Sequence, residues 1–191
     1  MKKALFFVLV FFVAASLSAQ WYFDGGIGIG GASTREDGKN IATELRSDSE
    51  VAVDLGLKIG YDFLGTRQMY LTGEISGVGH RFAGIGYSNY YIQCNSYLIG
   101  PGFVYYPHQM VQLSVAAGLS YTANQTDIPY FRIADGNGFA FNLSGAADLG
   151  QGNSGLLVGI KYHYASNDYE SISGTLETSF FGVFARYRFR N

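Results

Sequence analysis

Val51 to Phe63 reads VAVDLGLKIGYDF, and the stretch has two faces of opposite character. Val51, Val53, Leu55, Leu57, Ile59, Tyr61 and Phe63 fall on one side, with Ala52, Asp54, Gly56, Lys58, Gly60 and Asp62 on the other. Side chains alternate between two faces with a period of two only in an extended strand, so this segment is a β-strand between two environments. The same alternation returns at Val111–Tyr121, Phe139–Leu149, Leu156–Tyr164 and Phe181–Phe189. Trp21–Ala32, Met69–Gly79 and Tyr91–Tyr106 are less regular but still read as strands. Tyr91–Tyr106 carries Pro101, and a proline removes a ladder hydrogen bond, which predicts a bulge or irregularity there. The fold class that follows is all-β: an eight-stranded antiparallel up-and-down barrel.

The connections alternate in length. Leu64–Gln68, Pro107–Gln109 and Gly150–Gly155 are short, whereas Ser33–Glu50, His80–Tyr90, Thr122–Gly138 and Ala165–Thr178 are long. Short turns on one side and long loops on the other suit a transmembrane barrel with periplasmic turns and extracellular loops. Tyr87, Tyr90 and Tyr91 near the second loop, with Tyr130 and Phe131 in the third, are candidate contacts for an extracellular partner.

Alternation does not itself say which face points outward, because a secreted barrel around a ligand places its apolar side inside. The more polar face consists mostly of Gly, Ala, Ser and isolated charges, whereas a water-facing surface carries roughly 25–35% Lys, Arg, Glu and Asp. Small residues suit a narrow, filled lumen. The apolar face of the five clean strands carries no charge, although 15% of the chain is charged. Lipid contact demands that, since a Lys or Arg at the bilayer midplane costs roughly 2–4 kcal/mol. Aromatic residues at strand ends (Trp21, Tyr22, Phe23, Tyr61, Phe63, Tyr105, Tyr106, Tyr121, Tyr187 and Phe189) are expected in interfacial girdles.

The N-terminus bears on location. Met1-Lys2-Lys3, the apolar run Ala4–Ala15 and the small residues before Gln20 read as a secretory signal peptide cleaved near Ala19. Residues 1–19 are therefore the expected signal peptide and 20–191 the outer-membrane barrel domain. The run is shorter than the roughly 20 residues of a membrane helix. A lone cysteine, Cys94, leaves no internal disulfide and is expected as an apolar strand residue. Net charge of −2 gives no basis for nucleic-acid binding.

The expected interior charges are Asp24, Asp54, Lys58, Asp62, Glu74, Asp148, Lys161, Arg186 and Arg188, nearly balanced and so suited to mutual pairing. Eight strands leave an interior only wide enough for side chains, so these groups, with Tyr97, predict a plug rather than an ion path. No cofactor or metal site is expected: His80 lies in a loop, His108 in a turn and His163 in a strand, without ligand spacing.

The C-terminal stretch FFGVFARYRFRN alternates aromatic and apolar residues up to Phe189, with Arg190 and Asn191 after it. It resembles the signature by which outer-membrane barrels are recognised for assembly, with Tyr187 and Phe189 in the signal positions. With the signal peptide and the eight strands, the chain is similar to the small OmpX/Ail and OmpA-barrel type of outer-membrane protein. That resemblance implies insertion into outer-membrane lipid with the help of the barrel-assembly machinery, and a structural or surface-interaction role carried by four extracellular loops. It brings no function-specific motif and implies no enzyme.

Two alternatives stand beside that reading. Lipid A deacylases of PagL type carry His-x-Ser-Asn, whereas here the spacing is His163-x-x-Ser166-Asn167, which in a strand places His and Ser on opposite faces. The other alternative is a small OmpW-like pore for hydrophobic solutes.

Overall fold

The computed structural model describes residues 20–45, 47, 49–83, 90–128, 134–150, 152–169 and 173–191. The expected signal peptide lies outside these residues. Eight long strands form one antiparallel sheet: β1 (Trp21–Glu36), β3 (Ser49–Asp62), β4 (Met69–Ala83), β5 (Tyr91–His108), β6 (Val111–Thr126), β7 (Gly136–Asp148), β8 (Ser154–Tyr169) and β9 (Thr175–Arg190). A two-residue strand, β2 (Lys39–Asn40), folds back on the end of β1, followed by a short helix, α1 (Ile41–Leu45). Each long strand pairs with its sequence neighbour, and β1 also pairs with β9 from Tyr22 opposite Arg190 to Glu36 opposite Leu176. The sheet is thus a closed barrel with no free edge, the form that leaves no backbone group unpaired in lipid. Among the described residues no helix is long and apolar enough to cross a membrane.

The apolar residues of the alternating strands face outward. Ile27, Val51, Leu55, Leu71, Leu119, Phe139, Ile160 and Val183 are exposed, while Asp54, Lys58, Glu74, Lys161 and Arg186 are buried inside. The outward apolar face runs from Trp21 to Ile29 on β1 and from Phe63 back to Val51 ahead of β4. The β1 span matches the roughly 9–11 residues that a tilted strand needs to cross a bilayer, and the β3 span exceeds it. The strands themselves run from 13 to 18 residues.

The surplus length lies at the hairpin end, so the long connections are shorter than expected. β1 continues to Glu36, β4 to Ala83, β6 to Thr126 and β8 to Tyr169, and β9 begins at Thr175. Above the apolar band the two faces exchange character: Arg35, Arg81, Gln125 and Asp168 point outward, and Phe82, Ile92, Tyr169 and Leu176 point inward. An apolar face traced upward from the band therefore ends where the strand does not. His80, expected in a loop, accordingly lies in β4 and is buried.

Three other expectations are corrected. Register is unbroken across Pro101, with Ile99 opposite Leu119 and Gly102 opposite Ala116; the shift falls between Tyr105 and His108, around Pro107. Tyr97 faces outward, in phase with Ile99 and Phe103, and does not fill the lumen. Tyr22 and Tyr106, expected in the girdle, point inward. Trp21, Phe23, Phe63, Tyr121, Tyr187 and Phe189 do lie exposed on the outer surface.

Candidate functional site

The barrel interior is stacked in layers. At the turn end Tyr22, Tyr70, Val104 and Tyr106 pack together, with the Tyr22 and Tyr70 ring centroids 5.0 Å apart. Gln112 joins this layer by donating through Nε2 to the hydroxyls of Tyr22 at 2.6 Å and Tyr106 at 2.9 Å. Tyr22 in turn donates to Asp24, which belongs to the next layer.

That next layer is a network of three acids and three bases contributed by β1, β3, β4, β8 and β9. Asp54 receives both Lys161 Nζ and, at 3.2 Å, Arg186 Nη2. The other terminal nitrogen of that guanidinium, Nη1, lies 3.5 Å from Asp24. Lys58 sits 3.9 Å from Asp24 and 3.8 Å from Glu74, and donates to Ser114 Oγ at 2.6 Å. The six charges cancel. Gly56 makes room for them, since a Cβ there would lie 2.5 Å from Arg186 Nη2.

The polar layer continues through side chains that carry no charge. Asn142 donates to Glu74 and to Ser76 Oγ at 2.7 Å, and its Oδ1 lies 2.7 Å from His163 Nδ1. His163 Nε2 is 3.1 Å from Ser96 Oγ. The ring is fully buried, and Ser166 lies on the opposite face of β8. His163 and Ser166 therefore do not meet.

Not every expected interior charge joins this network. Arg188 pairs with Asp148 at 2.7 Å nearer the turns and donates to the Gly152 carbonyl oxygen at 3.0 Å. Asp62 caps the Leu64–Gln68 turn, accepting the backbone N–H groups of Leu64, Gly65 and Arg67. The network residues that carry no charge, Ser76, Ser96, Ser114 and Asn142, were not among the expected members of the interior network. Their parity on each strand was the available signal, because they share the face of the charged groups.

Nearer the hairpin end the filling becomes apolar. Leu98, Ala116, Ala140 and Ala165 form one cluster, and Ala52, Val78 and Phe180 another. Beside them His80 bridges Thr34, at 2.9 Å through Nδ1, and Glu50, at 3.2 Å through Nε2. Above lies the outermost cluster of Ile41, Ala42, Phe82, Ile92, Cys94, Tyr169 and Leu176. Two of its members come from α1, which folds inward as a cap on the mouth. Tyr169 donates to Glu36 at 2.8 Å, and burial, reinforced by that carboxylate, raises its phenol above the ordinary value.

The expected contact residues Tyr87, Tyr130 and Phe131 lie outside the described residues. Tyr90 is exposed, and Tyr91 carries the Arg81 guanidinium 4.1 Å above its ring. Tyr187 and Phe189, the expected assembly signal, stand on the outer surface of β9.

A closed antiparallel barrel with an apolar outer band and an ion-paired interior is now in view, and comparison with solved structures agrees with it. The chain has the fold of the small outer-membrane β-barrels. It is similar to Ail, the attachment invasion locus protein of Yersinia pestis, solved in complex with the heparin analogue sucrose octasulfate: 14% identity, TM-score 0.55, covering 88% of this chain and 98% of Ail. Neisserial surface protein A (NspA) aligns at 13% identity and TM-score 0.50, covering 88% of this chain and 96% of NspA. The Escherichia coli outer membrane protease OmpT aligns at 10% identity and TM-score 0.54, covering 90% of this chain and 97% of OmpT. No protein-family model and no curated protein matches the sequence. The likeness is one of fold, shared by a protease as well as by Ail and NspA, so any role has to be argued from this barrel's own interior and surface.

Proposed function

We propose that this chain is an exported protein of the bacterial outer membrane with a structural or surface-interaction role, neither conducting solutes nor catalysing a reaction. The carrying observation is the filled lumen: Lys161 and Arg186 converge on Asp54 from β8 and β9, beneath a mouth plugged by α1 and its apolar partners. A continuous water path needs gaps that these side chains occupy. Lipid is the natural neighbour of the outward apolar band, and the hairpin tips above it are the parts free to meet a partner. In this reading residues 1–19 direct export and are cleaved near Ala19, and the assembly machinery reads Tyr187 and Phe189. Contacts with a partner fall to Tyr90 and Tyr91 and to Tyr87, Tyr130 and Phe131.

The lipid A deacylase alternative draws no support from the separation of His163 and Ser166 across β8. The hydrophobic-solute pore draws none from the capped mouth. Fractionation combined with gel migration before and after heating tests the main reading. An outer-membrane band that shifts on heating is expected, and a soluble periplasmic protein overturns the proposal. Conductance steps in planar bilayers, or altered lipid A masses on overexpression, would each overturn the inert-lumen part.

A further inference from the structure

The turn-side mouth of the barrel contains a polar cavity of about 520 Å³ below the Tyr22–Tyr70–Tyr106 layer. Its charged lining is one-sided. Arg67 from the β3–β4 turn and Arg190 from the end of β9 face it, together with His108 from the end of β5, and no described lining residue is a carboxylate. Among the described residues neither arginine has an ion-pair partner. The nearby acids are already committed: Asp62 to the three backbone N–H groups of its turn, and Asp148 to Arg188.

The donors are held in place. Arg190 lies with its guanidinium carbon 4.7 Å above the Tyr106 ring, a stacking that leaves its in-plane N–H groups open. Arg67 sits at φ 58°, a left-handed conformation that a long side chain seldom adopts, and the Asp62 cap fixes it there. His108 accepts the Met110 N–H at Nδ1, at 3.3 Å, so the neutral ring carries its proton on Nε2 and can donate. Tyr70, in the layer above, is fully buried, and among the described residues its hydroxyl has no hydrogen-bond partner.

We propose that this mouth is an oxyanion site, binding the phosphate group of a solute between Arg67 and Arg190 with His108 as a third donor. Two guanidinium forks facing one space match the bidentate geometry of phosphate, and the cavity exceeds a single phosphate group, leaving room for the molecule that bears it. The site's exposure to the periplasm rests on the orientation proposed above. Binding by the purified barrel does not depend on that orientation.

Orthophosphate titrated into the folded barrel, held in sugar-headgroup micelles that contain no phosphate, tests the site through arginine Nε–H resonances. A saturable shift of Arg67 and Arg190, with buried Arg186 unmoved, is expected. Arg67→Gln and Arg190→Gln should each weaken binding by roughly tenfold to hundredfold. Lys39→Gln, at the far end of the barrel, should leave it unchanged. Heat-modifiable migration of every variant confirms folding and separates failure of the site from failure of the barrel. A second arm adds glycerol phosphate or phosphatidylglycerol: competition by the first places the source in solution, and competition by the second alone places it in the lipid headgroup. Shifts that do not saturate or that chloride reproduces, or a heat of orthophosphate binding in calorimetry that persists in the double variant Arg67→Gln/Arg190→Gln, would overturn the proposal.

Discussion

Asp54 is the residue on which the lumen turns, because it compensates two buried cations at once. Desolvating such groups costs several kcal/mol per ion, and only direct pairing offsets it. Asp54→Asn leaves the shape nearly unchanged but removes the charge, so Lys161 and Arg186 lose their shared partner. We expect a loss of about 3–5 kcal/mol in urea unfolding of the barrel in lipid vesicles. A loss below about 1 kcal/mol would mean that water enters the layer and screens the pair. The charge of these residues made them legible in the sequence: a lone Asp, Lys or Arg among glycines and alanines on one face of a strand has few places to go but inward. Aromatic residues were not legible in the same way. Tyr22, Tyr97 and Tyr106 could serve as girdle or as filling, and only the register, which puts Tyr22 and Tyr106 inside and Tyr97 outside, decides between them. Nor does Asp62 differ in sequence from the network acids; its role as a turn cap depends on the backbone path of Leu64–Arg67.

Along the strands the outer face changes from apolar to polar, the boundary between lipid and water under the proposed function, and this is where the sequence was hardest to read. An alternation search follows one apolar side, so it stops near Ala32, Gly79, Tyr121 and Tyr164, where the outer face turns polar. The backbone ladder carries on for several residues because the inner face now supplies the apolar groups, among them Phe82, Ile92, Tyr169 and Leu176. Two phases of opposite sense, joined in one strand, look like a strand followed by a loop. The band edge can be located by charge. Leu55→Arg, in the middle of the apolar face of β3, should destabilise the barrel in a bilayer by about 2–4 kcal/mol. Gln125→Arg, exposed on β6 beyond the band, should stay within about 0.5 kcal/mol. Equal costs at the two positions, measured by unfolding in the same vesicles, would show that the apolar face does not mark the lipid boundary.

At the scale of the whole barrel, closure and filling act together. Pairing of β1 with β9 removes the edge, and the small circumference of eight strands then forces every inward side chain against those across the lumen. The interior is consequently filled at two heights, by the apolar cap that includes α1 and by the ion-paired layer below it, and under the proposed function each is a barrier to passage. Opening only the upper barrier should not make a pore. Ile41→Asp combined with Phe82→Ser places a charge and a small polar group in the cap, which should loosen α1 and raise hydrogen exchange in Ile41–Leu45. The Asp54, Lys161 and Arg186 contacts lie deeper and keep their partners, so planar bilayers containing this variant should remain silent. Steady conductance steps from the cap variant alone would instead show that the ion-paired layer admits water and ions, and that the cap is the sole gate.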